Sequence, residues 1–187
     1  MVESFPTPEL ETLRKVITLL VQTNIPYMLT GSMALNFYGH PRATNDFDIV
    51  IQVGKQSAQN LYELFRNDFY VSEEAIREAL AHDRLFNLID EKTVFKVDLI
   101  VGKDDDFSRE QFLRRQPKEV LGLKAYVISP EDLILSKLEW SKESRSEMQE
   151  RDIRTMMSLL TGKLDFAYME RWATQRGYLE RLKSFYA

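Results

Sequence analysis

Hydrophobic positions along the chain follow two different patterns, and the change comes near residue 128. Before that point short apolar runs typical of strands alternate with stretches of helical spacing, whereas beyond it every stretch has helical spacing. The predicted strands cover residues 27–30, 48–53, 85–89, 93–101 and 123–128, and the predicted helices cover residues 8–21, 32–38, 56–66, 73–81, 133–142, 146–160, 166–175 and 179–186. These elements predict an α/β (α+β) fold, with a mixed sheet flanked by helices over residues 1–128 and a helical segment over residues 129–187 packed on that core.

The run from Asp48 to Val53 predicts a central strand. It is rich in β-branched residues and almost continuously apolar, which favours a strand covered on both faces. An acidic pair, Asp46 and Asp48, stands at its start. Because residues two apart on a strand point to the same side, the two carboxylates are expected to project together.

A third carboxylate, Asp98, lies within the predicted strand 93–101, on the face opposite its apolar residues. A buried carboxylate needs a cation, hydrogen bonds or solvent, because burying it unpaired costs several kcal/mol. An Asp-x-Asp pair alone more often marks a turn, a cap or a solvated strand end. Here the pair precedes an apolar strand and has a third Asp nearby, so we predict a metal site formed by Asp46, Asp48 and Asp98. Hard oxygen ligands of this kind select Mg²⁺ or Mn²⁺.

Gly31 and Ser32 stand where the strand 27–30 meets the next predicted helix. Backbone N–H groups at a helix start, together with a serine hydroxyl, suit a phosphate group. The ordinary alternative is a small residue at a turn followed by a serine N-cap. The chain has neither the P-loop pattern nor the Gly-x-Gly-x-x-Gly fingerprint, so no other phosphate motif competes with this one.

Composition narrows the class of protein. A chain of 187 residues with 44% hydrophobic content can bury a core and is expected to form one compact body. The net charge of -4 lacks the basic excess that would by itself predict tight nucleic-acid binding. The chain has no cysteine, which excludes disulfides and thiolate metal sites. Without an apolar segment typical of a leader or a membrane span, we expect a cytoplasmic protein that does not enter a membrane.

The segments LTGSMALNFYG and PRATNDFDI together resemble the signature of the DNA polymerase beta-type nucleotidyltransferase superfamily. Within this superfamily, the sequence motif around Asp46 and Asp48 is most similar to that of the small bacterial AbiEii-like nucleotidyltransferases of abortive-infection systems. The resemblance implies a minimal nucleotidyltransferase core, with Asp46, Asp48 and Asp98 as catalytic metal ligands. It also implies a nucleoside triphosphate (NTP) as co-substrate and a possible cognate toxin or antitoxin partner.

The same resemblance implies that Gly31 and Ser32 hold the β- and γ-phosphates. It places Lys137 and Asp152 at the nucleotide site, whereas the ordinary interpretation of Lys137 is a solvent-facing helix residue. Arg42, six residues before Asp48, is a further candidate for a phosphate contact, with a surface or carboxylate-paired arginine as an equal alternative.

Other conspicuous residues favour structural roles. Asp104, Asp105 and Asp106 predict a solvated loop or the cap of a helix that begins near Phe107. Aromatic residues at helical spacing in the last third of the chain are more often core than base-stacking platforms. This group comprises Trp140, Tyr168, Trp172 and Phe185.

The function predicted from these residues is transfer of a nucleoside monophosphate from an NTP to an acceptor hydroxyl by a two-metal mechanism. The acceptor could be a protein, an RNA or a small molecule. Two alternatives remain at this point. One is a catalytically weak nucleotide-binding or toxin–antitoxin partner module of the same fold, and the other is a glycosyltransferase that uses Asp-x-Asp.

Overall fold

The computed structural model describes residues 7–39, 44, 46–120, 123–144 and 146–186. Within these residues, seven strands form one sheet in the order β3-β4-β5-β2-β1-β7-β6. The strands are β1 (Tyr27–Thr30), β2 (Asp46–Ile51), β3 (Phe69–Tyr70), β4 (Leu85–Asp90), β5 (Lys96–Val101), β6 (Gln116–Val120) and β7 (Leu123–Val127). β2 pairs in parallel with β5, β1 pairs in parallel with β7, and the other pairings are antiparallel. The predicted mixed sheet is confirmed.

Helices flank this sheet within the described residues. They are α1 (Pro8–Gln22), α2 (Gly31–Leu35), α3 (Ala58–Phe65), α4 (Glu73–His82), α5 (Asp106–Arg114), α6 (Pro130–Ser144), α7 (Glu147–Leu159), α8 (Phe166–Gln175) and α9 (Leu179–Lys183). After α2 the chain continues as a 3-10 turn over Asn36–Tyr38, so the predicted helix 32–38 is divided. No helix in the described ranges is both long and apolar enough to cross a membrane.

The prediction for β2 was right about its position and wrong about its burial. The strand lies at the centre of the sheet, but its residues alternate between buried and half-buried. Phe47, Ile49 and Ile51 face the core, while the opposite face carries Asp46, Asp48 and Val50. The alternation was not visible in the sequence of β2, because Val50 lies on the open face although its side chain is hydrophobic.

The hydrophobic pattern of the sequence did not predict two of the strands, β3 and β6, which lie at the edges of the sheet. β6 begins Gln-Pro-Lys-Glu, and its proline and charges are unusual for a strand but acceptable at the edge of a sheet. β3 has only two residues. Both strands exist because a neighbour supplies the pairing, which is a tertiary effect.

A buried polar network anchors the start of α6. The Ser129 hydroxyl donates to Asp132 at 2.7 Å, and the Tyr168 hydroxyl of α8 donates to the other oxygen of Asp132 at 2.5 Å. The Arg114 guanidinium of α5 donates to Glu131 at 3.0 Å. These contacts tie α6 to α5 and α8, and so fix the helix that carries Lys137.

The core forms one cluster that includes residues from both predicted parts, such as Leu29 of β1 and Leu138 of α6. The division of the chain at residue 128 stays a prediction.

Candidate active site

The register of the two central parallel strands brings the predicted carboxylates to one face. Asp48 of β2 is the direct partner of Asp98 of β5, and Asp46 is the partner of Lys96. Paired residues of parallel strands point to the same side of the sheet. Asp46, Asp48 and Asp98 therefore share one face, as the sequence predicted.

Lys96 holds two of these carboxylates. Its Nζ lies 2.9 Å from Oδ2 of Asp98 and 3.5 Å from Oδ2 of Asp46. The hydrogen bond to Asp98 and the charges of Asp98 and Asp46 raise the pKa of Lys96, so this amine is an ammonium at neutral pH. The other oxygen of Asp98 accepts a hydrogen bond of 2.5 Å from the Asn87 amide of β4. Sequence reasoning had not singled out Lys96 or Asn87.

The position of Lys96 also tests whether this face suits a metal. Two carboxylates already converge on one positive charge, and all the acidic donors are the hard oxygens that Mg²⁺ prefers. Among the described residues, however, no three His, Cys, Asp or Glu side chains converge as ready metal ligands. The residues fit a divalent ion on the condition that Lys96 yields its place between Asp46 and Asp98.

This competition leads to a prediction about metal affinity. We expect Lys96→Met to strengthen Mg²⁺ and Mn²⁺ binding about fivefold, because it removes a cation that competes for half-exposed carboxylates. Titration calorimetry at pH 7.5 measures the effect. Lys163→Met, which removes an exposed lysine between α7 and α8, is the matched control and should leave metal affinity unchanged. Weaker binding in Lys96→Met would mean that Lys96 supports the metal instead of competing with it.

Asp48 has the most perturbed carboxyl of the site. Burial raises its pKa to about 6, and the negative charges of Asp46 and Asp98 add to the effect. Lys137 and Lys96 oppose the increase. The folded protein therefore carries an electrostatic cost at Asp48 at neutral pH, and a bound cation would relieve it.

That cost predicts a stabilising mutation. The folded pKa of about 6 lies above the ordinary value of 3.8, so the contribution of Asp48 to stability falls as pH rises from about 4 through 6 and stays low above 6. In metal-free buffer, Asp48→Asn should raise the free energy of unfolding by about 1 to 3 kcal/mol at pH 7.5 and by little at pH 4.5. Urea unfolding with a chelator measures it.

A matched control for this prediction is Asp68→Asn, which changes an exposed carboxylate. It should alter the free energy of unfolding by less than about 0.5 kcal/mol at either pH. If Asp48→Asn were destabilising at pH 7.5, Asp48 would have a stabilising partner and would not be under electrostatic strain.

Gly31 meets Asp48 directly. Its φ is +62°, in the left-handed region, and a Cβ built on it would lie 1.9 Å from Oδ2 of Asp48. Only glycine fits here, for both reasons. The elbow between β1 and α2 therefore places the backbone of Gly31 directly against a carboxylate of the cluster, and Ser32 follows it in the lining of the same cleft.

The helix after this elbow differs from the expected one. α2 has only five residues, where a helix over residues 32–38 was predicted, so its helix dipole contributes little to binding an anion. What remains for an anion is the set of N–H groups at the helix start, which lack intrahelical partners, and the Ser32 hydroxyl.

Lys137 is buried, with 5% of its surface exposed, so the solvent-facing interpretation of this residue was wrong. Its Nζ donates to Asp152 and to Gln149 of α7, each at 2.8 Å. Asp152 is also buried. The structure thus joins the two candidates from the C-terminal helices into one ion pair between α6 and α7. Arg42 lies outside the described residues.

A cleft of about 750 Å³ connects these features. Gly31, Ser32, Asp48 and Lys137 all line it. Its sheet side is mostly apolar, with Met28, Val50 and Ile100, and its other side comes from α5 and α6.

Trp140 also lines the cleft and is 56% exposed, so its prediction as a core residue was wrong. Trp172 and Tyr168, predicted in the same way, are buried. The spacing of Trp140 from Lys137, one helical turn, was the signal that could have identified it.

Several solved structures share this architecture and are distant in sequence. An antigenic nucleotidyltransferase-like protein from Paracoccidioides brasiliensis is 22% identical, with a TM-score of 0.58 over 95% of this chain and 93% of that one. The antibiotic-resistance factor ANT(2'')-Ia is 12% identical, with a TM-score of 0.62 over 95% of this chain and 97% of that one. The chain has a nucleotidyltransferase fold.

A third structure with this nucleotidyltransferase fold is the lincosamide antibiotic adenylyltransferase LnuA, with lincomycin bound. It is 15% identical, with a TM-score of 0.54 over 80% of this chain and 96% of that one. No protein-family model and no curated protein matches the chain. At these identities, the likeness establishes the fold and leaves the chemistry to be argued from the residues.

Proposed function

We propose that this protein transfers a nucleoside monophosphate from an NTP to an acceptor hydroxyl, using Mg²⁺ or Mn²⁺ held by Asp46, Asp48 and Asp98. The observation that carries the proposal is the contact between the Gly31 elbow and the Asp48 carboxylate, in a strand register that pairs Asp48 with Asp98. A seat for phosphate and a cluster of hard ligands therefore lie side by side, which is what phosphoryl chemistry needs.

The reaction needs little covalent chemistry from the protein. A bond forms between the acceptor oxygen and the α-phosphorus, the bond to the β-phosphate oxygen breaks, and pyrophosphate leaves. Asp46, Asp48 and Asp98 would hold the divalent ions, which when bound would neutralise the charge of the polyphosphate and make the attacking hydroxyl more acidic. Asp98 accepts the hydroxyl proton, and Asn87 keeps its carboxylate oriented.

The C-terminal helices complete the nucleotide site in this proposal. Lys137 reaches the cleft from α6, and its pairing with Asp152 and Gln149 holds the ammonium in one place. A fixed positive charge near Gly31 and Ser32 suits the β- and γ-phosphates. Arg42 remains a further candidate for a phosphate contact.

The acceptor can be a protein, an RNA or a small molecule. The charged cleft residues near the sheet are of both signs, for example Asp83 and Arg84, so nothing in the lining favours a strongly cationic acceptor. Membership of the AbiEii-like branch, and a cognate toxin or antitoxin partner, stay predictions from the resemblance.

One observation favours a second candidate, a nucleotide-binding or partner-binding module with weak turnover. Lys96 occupies the place between Asp46 and Asp98, and a lasting ion pair there would keep a metal out. Pyrophosphate release separates the two candidates, since only an active transferase produces it.

The experiment that tests the proposed function uses each of the four NTPs labelled at the α-phosphate. The protein is incubated with a whole-cell extract and Mg²⁺, and the product that acquires label is identified. We expect label in one acceptor class together with pyrophosphate release. Nucleotide binding without release would support the second candidate.

A further inference from the structure

Trp140 is the largest aromatic side chain that the described structure leaves exposed at the cleft. It lies on α6, one helical turn beyond Lys137 and on the same side of the helix. The other tryptophan, Trp172, is 6% exposed and its indole N–H donates to Glu110 at 3.1 Å. The two tryptophans therefore differ in burial, and Trp140 is the one that lines the cleft.

The other residues that line the cleft show which chemical groups lie near this indole. Gly31, Ser32 and Asp48 line it together with Trp140, and Lys137 is close enough to lower the pKa of Asp48 by its charge. A nucleoside is covalently attached to the phosphates, so it must occupy the part of the cleft next to them. Trp140 lines the same cleft, one turn further along α6 than Lys137.

The surfaces on the two sides suit a flat ring. Met28, Val50 and Ile100 make the sheet side of the cleft apolar, and Trp140 lines the same cleft from α6. A nucleobase has an apolar face of the right kind, and aromatic side chains bind bases of every type through stacking.

We propose that Trp140 stacks on the nucleobase of the NTP and accounts for most of the affinity for its nucleoside part. The inference rests on the proposed function, because it takes the phosphate end of the cleft as given. Stacking accepts all four bases, and it favours purine nucleotides because their larger rings cover more of the indole.

The test is the dissociation constant of each NTP, measured by calorimetry with Mg²⁺ and without acceptor. Trp140→Ala should weaken binding of ATP and GTP about 10- to 100-fold, whereas Trp140→Phe should retain most of the affinity. Inorganic tripolyphosphate, which has no base, should bind wild type and Trp140→Ala equally. Leu113→Ala, which truncates an 83% exposed side chain on α5, is the matched control and should change nothing.

Fluorescence gives a second measurement. The chain has two tryptophans, so Trp172→Phe leaves Trp140 as the sole indole. ATP should quench its emission and tripolyphosphate should not. If Trp172→Phe fails to fold, the calorimetric comparison in the natural background still decides the question.

The outcomes separate this inference from the function on which it rests. If wild type binds NTPs and Trp140→Ala binds them equally well, Trp140 does not contact the base, and the inference alone is wrong. An increase in acceptor KM without a change in nucleotide affinity would instead assign Trp140 to the acceptor. If wild type binds none of the four NTPs, both proposals are wrong.

Discussion

Asp98→Asn should reduce transfer of label from an α-labelled NTP by about 1,000-fold or more, with the fold intact. The replacement keeps the size of the side chain and one of its two accepting oxygens, but it removes the charge that holds a metal and takes the proton. Asp98 is 7% exposed, lies opposite Asp48 across parallel strands and is held by Asn87 and Lys96, so its carboxylate is already oriented. Asp48→Ala and Asp98→Ala should have the same effect on transfer.

The measurement is a single-turnover assay with the labelled NTP, accompanied by thermal unfolding to establish that the variant is folded. Asp104→Asn provides the control, because its carboxylate is 97% exposed and its loss should leave transfer unchanged. Transfer at the wild-type rate in Asp98→Asn would remove the proposed mechanism, whatever the fold.

Gly31→Ala is expected to have the second-largest effect, a loss of activity of about 100-fold or more. The new methyl group would lie 1.9 Å from Oδ2 and 2.7 Å from Cγ of Asp48, so the carboxylate or the elbow has to move. Either movement separates the phosphate seat from the metal ligands, and a shift of about 1 Å is enough to be costly in a transferase.

The control for this mutation has to carry the same backbone strain without the clash. Gly162→Ala does so, because Gly162 has a φ of +75° and nothing within 4 Å of the added Cβ. Both variants should lose about 1 kcal/mol of stability from the left-handed backbone. Only Gly31→Ala should lose activity, as measured by the labelled-NTP assay. Equal activity in the two variants would show that the contact with Asp48 is not part of the site.

Local patterns in the chain were enough to identify the ligands of the candidate site. Alternation along strands placed Asp46 and Asp48 on one side and Asp98 on the open face of β5, and the strand register agrees. Gly31 and Ser32 were recognisable because a turn that requires glycine can be identified from the local sequence between a strand and a helix. These features depend on the period of a strand and the φ of one residue, which are properties of short segments.

Electrostatic partners were beyond the reach of the sequence. Lys96 is two residues from Asp98, yet its contact with Asp46 exists only because β2 and β5 pair in a particular register. Asn87 reaches Asp98 through the pairing of β4 with β5. The same holds for the raised pKa of Asp48, since burial and neighbouring charges come from several strands.

The sequence by itself determined the class of fold, the elbow and the three carboxylates, because each is encoded in the hydrophobic period or the residue types of a single stretch. Only the tertiary structure decided that Lys137 is buried against Asp152 and that Trp140 faces the cleft. The hydrophobic pattern of an amphipathic helix indicates that the helix has a buried side. Which of its residues face a neighbouring helix and which face a cavity depends on how the helices pack. That packing is a sum over distant contacts, and no local pattern contains it.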